Sequence, residues 1–172
     1  DTAGIDIGFK VASILKEAYG DRMPISPVIE KIYNKKELGV KTGSGFYTYN
    51  KKEKIVNNNV TSMLEKSSKL ITDEQIINRC IYIMINEASR CLEEGIVDDP
   101  TIIDFAMVTG TGFPPYKGGL CNLANEIGIK NIVKTLQELE KDYGCRFTPS
   151  NLLVKLLEDD KDFNTGETLW KH

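Results

Sequence analysis

The chain has 172 residues, of which 41% are hydrophobic and 27% charged, a globular composition that excludes a disordered or fibrous protein. Its formal net charge of -3 provides no overall positive field that would attract nucleic acid or an anionic membrane. The longest apolar run, Cys80 to Ile85, is far shorter than the roughly 20 residues that a membrane span requires.

Two helices are predicted near the start of the chain. Apolar residues recur at helical spacing from Ile5 to Tyr19, and Gly20 follows where a left-handed C-terminal residue is favoured. Ser26 and Pro27 then form an N-cap and first-turn pair for a second helix that ends before Gly39. No basic and apolar leader precedes the first helix, so we expect a processed or excised chain.

The segment that follows is predicted to be extended. Residues 41–54 combine turn-forming residues with alternating aromatic side chains, a pattern that favours a short strand or a small hairpin arm. Residues 50–72 are rich in Lys, Asn and Ser, and we interpret them as a connector between two domains. One further helix is predicted around residues 60–70.

The second half of the chain carries a long helical pattern. Thr72 and Gln75 stand in capping-box register just ahead of an extended apolar periodic run. Asp99 is the predicted N-cap of a shorter helix over residues 100–108. The Gly and Pro residues of 110–119 (GTGFPPYKGG) predict a tight irregular turn before the helices resume.

The sequence also contains an internal repeat. Without a gap, residues 4–32 align with residues 128–156 at nine identities in 29 places. The simplest account is a duplicated helical unit, whose first copy starts at its third element with its opening helices upstream of Asp1. The alternative is that two amphipathic helices ending in Tyr-Gly resemble each other because both solve the same capping problem.

Two motifs support a family resemblance. Residues 77–119 (INRCIYIMINEASRCLEEGIVDDPTIIDFAMVTGTGFPPYKGG) and residues 38–49 (LGVKTGSGFYTY) resemble the C-terminal domain of 3-hydroxyacyl-CoA dehydrogenases, which bifunctional enoyl-CoA hydratase/3-hydroxyacyl-CoA dehydrogenase chains carry in two tandem copies. The resemblance implies an all-α fold: a tandem-duplicated helical domain of the 6-phosphogluconate dehydrogenase C-terminal type, with one short extended arm. Residues 1–49 would then end the first copy, 50–72 would connect, and 73–172 would form the second copy.

The resemblance also implies a function for a parent chain. That enzyme would use NAD to oxidise 3-hydroxyacyl-CoA in beta-oxidation, with its base and NAD loop in a Rossmann domain upstream of Asp1. Acyl-CoA would be its substrate, and a second copy or a thiolase subunit its partner, in the bacterial cytoplasm, the mitochondrial matrix or the peroxisome. The present chain would support the acyl-CoA cleft and be inactive alone. The alternative is a free-standing helical interaction module without catalysis.

Four residues are candidate substrate contacts. Residues 31–54 hold seven lysines against two acids, and Lys41, Lys51 and Lys52 of this stretch are suited to attract the phosphates of coenzyme A. A solvated basic loop is the alternative. By the resemblance, Asn78 takes the place in the second copy of a substrate-contacting Asn in the first. The alternative for Asn78 is solvent contact or a hydrogen bond between helices.

No residue is predicted to be catalytic, cofactor-binding or metal-binding. Hydride transfer to NAD needs a general base and a phosphate-binding glycine loop, but the one imidazole, His172, ends the chain. The GxG sequences at 43–45 and 110–112 lack a third glycine and a strand-to-helix context, so both are interpreted as turns. The four cysteines contain no CxxC pair and are expected to be reduced.

Overall fold

A computed structural model describes residues 1–50, 53–64 and 70–171 of the chain. The chain divides into two compact units, an N-terminal unit (Asp1–Leu70) and a C-terminal unit (Ile71–His172). Within the described ranges, no helix is both long enough and apolar enough to cross a membrane.

The N-terminal unit begins with two helices. Helix α1 spans Ile5–Tyr19, as predicted, and ends at Gly20, whose φ of +60° a glycine adopts without steric cost. Helix α2 spans Pro27–Asn34 and stops well before Gly39. Ser26 occupies the predicted N-cap position, but its hydroxyl makes no capping hydrogen bond.

A small hairpin follows, which confirms the predicted arm. Strand β1 (Tyr47–Tyr49) pairs antiparallel with strand β2 (Lys54–Val56). A single helical turn, α3 (Asn58–Thr61), comes directly after β2. Of the helix predicted around residues 60–70, only residues 60 and 61 are helical, because the chain leaves α3 in a turn over residues 62–64. Residues 65–69 lie outside the described ranges.

The core of the N-terminal unit is small. Ile5 of α1, Ile32 of α2 and Val60 of α3 are its buried apolar residues. The rings of Phe9 and Tyr33 stack at a centroid distance of 4.4 Å and join α1 to α2. At about 2 kcal/mol for each fully buried large aliphatic side chain, such a core stabilises its unit only modestly.

Five helices form the C-terminal unit: α4 (Asp73–Glu93), α5 (Pro100–Thr111), α6 (Leu120–Ile127), α7 (Ile129–Tyr143) and α8 (Asn151–Glu158). The predicted capping box is present, because the Thr72 N–H donates to the Gln75 side chain at 3.0 Å and the Gln75 N–H donates to Thr72 Oγ1 at 3.2 Å. Asp99 caps α5 as predicted, accepting from the Thr101 N–H at 2.8 Å.

Helix α5 is longer than predicted. It runs past residue 108 to Thr111, so Gly110 and Thr111 belong to its last turn and not to the irregular turn assigned from sequence. The helix continues because no proline intervenes before Pro114, and it ends at Gly112, which has a left-handed φ of +74°. The irregular segment is therefore confined to residues 112–119.

The core of the C-terminal unit is much larger. Helix α4 packs against α6, α7 and α8, so it lies at the centre of the unit. The completely buried apolar side chains of this core are Ile85, Leu92, Ala124, Ile132, Leu136, Leu153 and Leu156. Phe163 and Trp170 close this core from the C-terminal tail, with ring centroids 6.4 Å apart.

The sequence repeat is also a structural repeat. Shifting α1 and α2 by 124 positions places them on α7 and α8, and the first and last positions of the helices coincide. The glycines that begin α1 and α7 have nearly the same backbone angles: Gly4 has φ 98° and ψ 127°, and Gly128 has φ 89° and ψ 126°. This correspondence supports a duplicated unit, and the fold is the expected all-helical type with one short arm.

Candidate functional site

The Asp1 carboxylate organises the aromatic arm of the N-terminal unit. It accepts hydrogen bonds from the Phe46 N–H at 2.9 Å, the Tyr47 N–H at 3.0 Å and the Tyr49 hydroxyl at 2.8 Å. Gly45 packs directly on this carboxylate, where a Cβ would overlap Asp1 Oδ1. The second glycine of the GSG sequence therefore allows close packing.

Asn57 is buried beside the same arm. Its Nδ2 donates to the Gly45 carbonyl oxygen at 2.8 Å and to Glu37 Oε2 at 3.0 Å, and its Oδ1 accepts from the Asn59 N–H at 3.0 Å. Its own N–H donates to the Phe46 carbonyl oxygen at 3.0 Å. Asn57 lies in the predicted connector and this role was not predicted, because only the pairing of β1 with β2 brings Asn57 to Gly45.

Lys41 is the described lysine among the predicted substrate contacts. Its ammonium forms an ion pair with Asp6 in the first turn of α1. The hydrogen bond from Lys41 lowers the pKa of the Asp6 carboxyl below its ordinary value. Lys41 remains about half exposed, so its charge faces solvent as well as Asp6. The other two predicted lysines, Lys51 and Lys52, lie outside the described residues.

Asn78 lies in the second turn of α4, where it is half-buried. The next residue, Arg79, places its guanidinium over the Tyr143 ring at 3.9 Å from the centroid, a cation–π contact between α4 and α7. Asn78 belongs to the C-terminal unit and Lys41 to the N-terminal unit. Each unit therefore contains one described member of the predicted set, and a cluster of these side chains stays a prediction.

The NEASR segment of α4 binds the link between α7 and α8. The buried Asn86 accepts from the Ser150 N–H at 2.8 Å and donates to the Thr148 carbonyl oxygen at 2.9 Å. The hydroxyls of Ser89 and Ser150 are hydrogen-bonded to each other in the core. Arg90 adds a second donor to the Thr148 carbonyl oxygen at 2.8 Å. These side chains are therefore engaged in joining α4 to α8.

Asp104 of α5 binds the first turn of α6, directly after the GTGFPPYKGG segment. Its carboxylate accepts from the Cys121 N–H at 2.6 Å and from the Asn122 N–H at 3.1 Å, so it caps the start of α6. Gly119 has a φ of +113°, and a Cβ there would overlap Asp104. The role of Asp104 was not predicted from the sequence. The available signal was the Gly118-Gly119 pair, which leaves α6 without a capping side chain of its own.

Burial around Asp104 changes two acid–base equilibria. It raises the pKa of the Asp104 carboxyl above its ordinary value, although the hydrogen bonds from Cys121 and Asn122 act in the opposite direction. It also raises the pKa of the Cys121 thiol, with the nearby Asp104 charge as a smaller cause. The carboxylate borders an open groove of about 480 Å³ that Phe105, Pro115 and Phe163 also line.

Neither GxG sequence is placed to bind the phosphates of NAD. Of the two GxG sequences, residues 110–112 lie at the C-terminal end of α5, whose partial negative charge repels phosphate. Residues 43–45 end a 3₁₀ turn and enter the arm, with no helix beginning after them. Within the described ranges, no group of three His, Cys, Asp or Glu side chains could hold a metal ion. The one histidine, His172, is not among the described residues.

In the C-terminal unit, the long helix α4 packs on the helix–turn–helix formed by α7 and α8. The same helix–turn–helix occurs a second time as α1 and α2, so the fold is a duplicated all-helical domain. The chain belongs to the 3-hydroxyacyl-CoA dehydrogenase family through its C-terminal domain, whose family model matches residues 1–49 and 76–168. Its relatives include the fatty acid oxidation complex subunit alpha of Shewanella frigidimarina, 37% identical over 95% of this chain and 24% of that protein. The same subunit of Vibrio campbellii is 37% identical over 95% of this chain and 23% of its own length.

Two solved structures have a similar fold. The dehydrogenase part of multifunctional enzyme 1 from C. elegans is similar with a TM-score of 0.60 at 25% identity, over 90% of this chain and 36% of that one. The 3-hydroxybutyryl-CoA dehydrogenase of Escherichia coli K12 shares the fold, with a TM-score of 0.71 at 20% identity, over 93% and 50%. The chain spans about a quarter of the length of its curated relatives.

Proposed function

We propose that this chain is the helical C-terminal portion of an NAD-dependent 3-hydroxyacyl-CoA dehydrogenase of fatty acid beta-oxidation, in a parent that also carries an enoyl-CoA hydratase. The observation that carries the proposal is the match to the family model in two separate segments, which agrees with the alignment of 95% of the chain to a fatty acid oxidation complex subunit alpha. The parent would oxidise the 3-hydroxyl of an acyl-CoA to a ketone, with NAD bound to residues other than those described for this chain.

The role of the chain within that enzyme is architectural. Support comes from its polar side chains, because the buried Asn57 and Asn86 and the half-buried Asp104 are each engaged with backbone groups of their own unit. A side chain that satisfies buried backbone groups stabilises the fold and has little capacity left for a substrate. The chain would therefore support the acyl-CoA cleft and the packing of domains or subunits.

The proposed organisation has three segments. Residues 1–49 end a first copy of the helical domain, residues 50–72 connect, and residues 73–172 form the second copy. The separate family matches at 1–49 and 76–168 support this division. The proposed partners are an NAD-binding Rossmann domain, the acyl-CoA substrate, and either a second copy of the enzyme or a thiolase subunit.

Lys41, Lys51, Lys52 and Asn78 are the proposed acyl-CoA contacts. Lysines attract the phosphates of coenzyme A mainly by charge, so their loss weakens binding without changing the chemical step. In the full-length enzyme, Lys41→Gln, Lys51→Gln and Lys52→Gln should each raise the KM for acetoacetyl-CoA several-fold at unchanged kcat, and Asn78→Ala should do the same. Lys134→Gln, a surface change in the C-terminal unit, is the control. An unchanged KM in all four variants rules out these contacts.

The functional proposal is tested by NADH oxidation with acetoacetyl-CoA. The chain is assayed alone and then mixed with the separately expressed upstream part of its parent. Turnover in the mixture only is the expected result. Turnover by the chain alone contradicts the architectural role. The upstream part is shown to be folded by circular dichroism. If NADH is then oxidised in neither assay, a helical interaction module is favoured over an enzyme portion.

A further inference from the structure

Helix α5 is rich in apolar residues, yet none of its 12 residues is buried. Ile103 and Met107 pack against the core of the C-terminal unit. On the other side of the helix, Ile102 is 47% exposed and Phe105 is 72% exposed. Asp104 is the one charged residue of the helix. An apolar helix that is left uncovered on one side indicates a binding surface.

The open groove beside Asp104 adjoins this surface. Its volume of about 480 Å³ lies within the range of small-ligand sites, which is roughly 300–1,000 Å³. Phe105, Val108, Pro115 and Phe163 provide apolar walls, and Asp104 provides a carboxylate. A ligand that fits this groove combines an apolar body with a group that suits a carboxylate.

The charge of Asp104 is not balanced by a cation. No ion pair joins it to a lysine or arginine in the part of the chain that the structure describes. The N–H groups of Cys121 and Asn122 occupy its acceptor sites but are neutral, and the start of a helix carries only about half a positive charge. Burial raises the pKa of the carboxyl, so these interactions do not fully replace the lost water. A cation in the groove would therefore stabilise the carboxylate by its charge.

A smaller groove of about 220 Å³ continues the first one. The two grooves share four residues: Pro100, Thr101, Phe163 and Asn164. Asp98, Asp99 and Glu167 line the smaller groove, where Lys171 forms an ion pair with Glu167. The carboxylates outnumber the ammonium, so the combined groove repels anions, including the phosphates of coenzyme A, and attracts cations.

We propose that this groove binds a small quaternary ammonium compound with a short apolar chain. A quaternary ammonium has no N–H to donate, so it suits a carboxylate whose acceptor sites are already used, and aromatic side chains such as Phe105 and Phe163 attract it. A metal ion is less suited, since no group of three ligating side chains occurs within the described ranges. The site is independent of the proposed enzymatic function.

The probe for this site is hexyltrimethylammonium, titrated into the intact chain at pH 7. Backbone amide chemical shifts of Phe105, Cys121 and Asn122 should change and saturate below about 10 mM, a modest affinity typical of so small a ligand. Hexanol and hexanoate have the same chain length without the positive charge, and should bind at least tenfold more weakly. Hexylammonium should bind at least threefold more weakly, because its N–H groups find few free acceptors and retain water.

Two pairs of variants locate the bound cation. Asp104→Asn removes the charge and should weaken binding at least tenfold, whereas Asp142→Asn, at an exposed position of α7, makes the same change in net charge and should leave binding unaltered. If Asp104→Asn does not fold, Phe105→Ala replaces it, because the exposed Phe105 ring contributes little to the core. Phe105→Ala should weaken binding at least fivefold. Tyr116→Ala is its control, since Tyr116 is 83% exposed and does not line the groove.

Four outcomes overturn the proposal. The first is the absence of any shift at the groove up to about 50 mM probe. The second is equal binding of hexanol, which shows an apolar site that does not recognise charge. The third is an equal loss of affinity in Asp104→Asn and Asp142→Asn, which shows attraction to net charge alone. The fourth is tighter binding of a blocked trimethyllysine peptide or of dihexanoylphosphatidylcholine than of the probe, because the ligand is then a protein side chain or a lipid headgroup.

Discussion

The side chain of Asn86 is hydrogen-bonded at both ends to the segment that contains Ser150. Its Oδ1 accepts from the Ser150 N–H at 2.8 Å, and its Nδ2 donates to the Thr148 carbonyl oxygen at 2.9 Å. Two backbone groups that lie outside any helix are thereby satisfied in a buried site, and the start of α8 is positioned against the middle of α4. The carboxamide suits this task because it carries a donor and an acceptor.

Replacing Asn86 should be among the most damaging changes in the C-terminal unit. Asn86→Ala leaves a buried N–H and a buried carbonyl oxygen with fewer partners and opens a cavity, at a cost of about 3 kcal/mol in the free energy of unfolding. Urea denaturation measures this cost. Asn164→Ala, at an exposed position, should change it by less than about 0.5 kcal/mol. Equal effects of the two variants would contradict the structural role of Asn86.

A second prediction concerns Gly119. Gly119→Ala forces a Cβ against Asp104 and places alanine at a φ of +113°, so overpacking adds to backbone strain at a total of about 3 kcal/mol. Gly144→Ala is the matched control, because Gly144 has a similar backbone conformation (φ +89°, ψ -173°) but open space around it. It should cost only the backbone strain, about 1 to 2 kcal/mol. Thermal or urea unfolding of both variants separates the two contributions, and the packing argument fails if the costs are the same.

Local sequence patterns predicted the helices well because their signals act over a few residues. The Thr72 capping box, the Asp99 N-cap and the glycine after Tyr19 each depend on hydrogen bonds or backbone angles within one turn. The repeat was visible because the same capping glycines and buried positions recur in both copies. Where the prediction was wrong, as for Gly110, a permissive residue allowed the helix to continue for another turn.

The contacts that hold these elements together could not be predicted in the same way. Asn57 reaches Gly45 across the hairpin, and Asp104 reaches Cys121 across a turn that contains two prolines. Nothing in the local pattern distinguishes these polar residues from exposed ones, because their partners are backbone groups of other segments. The family resemblance identified the motifs, but only the structure shows which backbone groups their side chains contact.

The ion pair between Asp6 and Lys41 should make part of the folding stability depend on pH. The partner lowers the pKa of Asp6 in the folded state, so its contribution to stability is present above the ordinary value of 3.8 and is lost as the pH falls through the lowered value. In Lys41→Gln, the Asp6 carboxyl should titrate at a higher pH, close to that ordinary value. Carboxyl chemical shifts in an NMR titration measure this. The Asp21 carboxyl, paired with Lys16, is the internal control, and its pKa should not change.

The contribution of Asp104 to stability should change with pH in the opposite direction to that of Asp6. Burial raises its pKa in the folded state, so the native chain binds more protons than the unfolded chain between the ordinary value of 3.8 and the raised value. Stability from this group therefore falls as the pH rises through that window. A carboxamide cannot ionise, so Asp104→Asn lacks this change while keeping one acceptor oxygen for α6. The free energy of unfolding of the wild-type chain, minus that of Asp104→Asn, should be larger at pH 3.5 than at pH 7. Urea unfolding at both pH values measures the difference, and a difference that grows with pH would show that the hydrogen bonds from Cys121 and Asn122 outweigh burial.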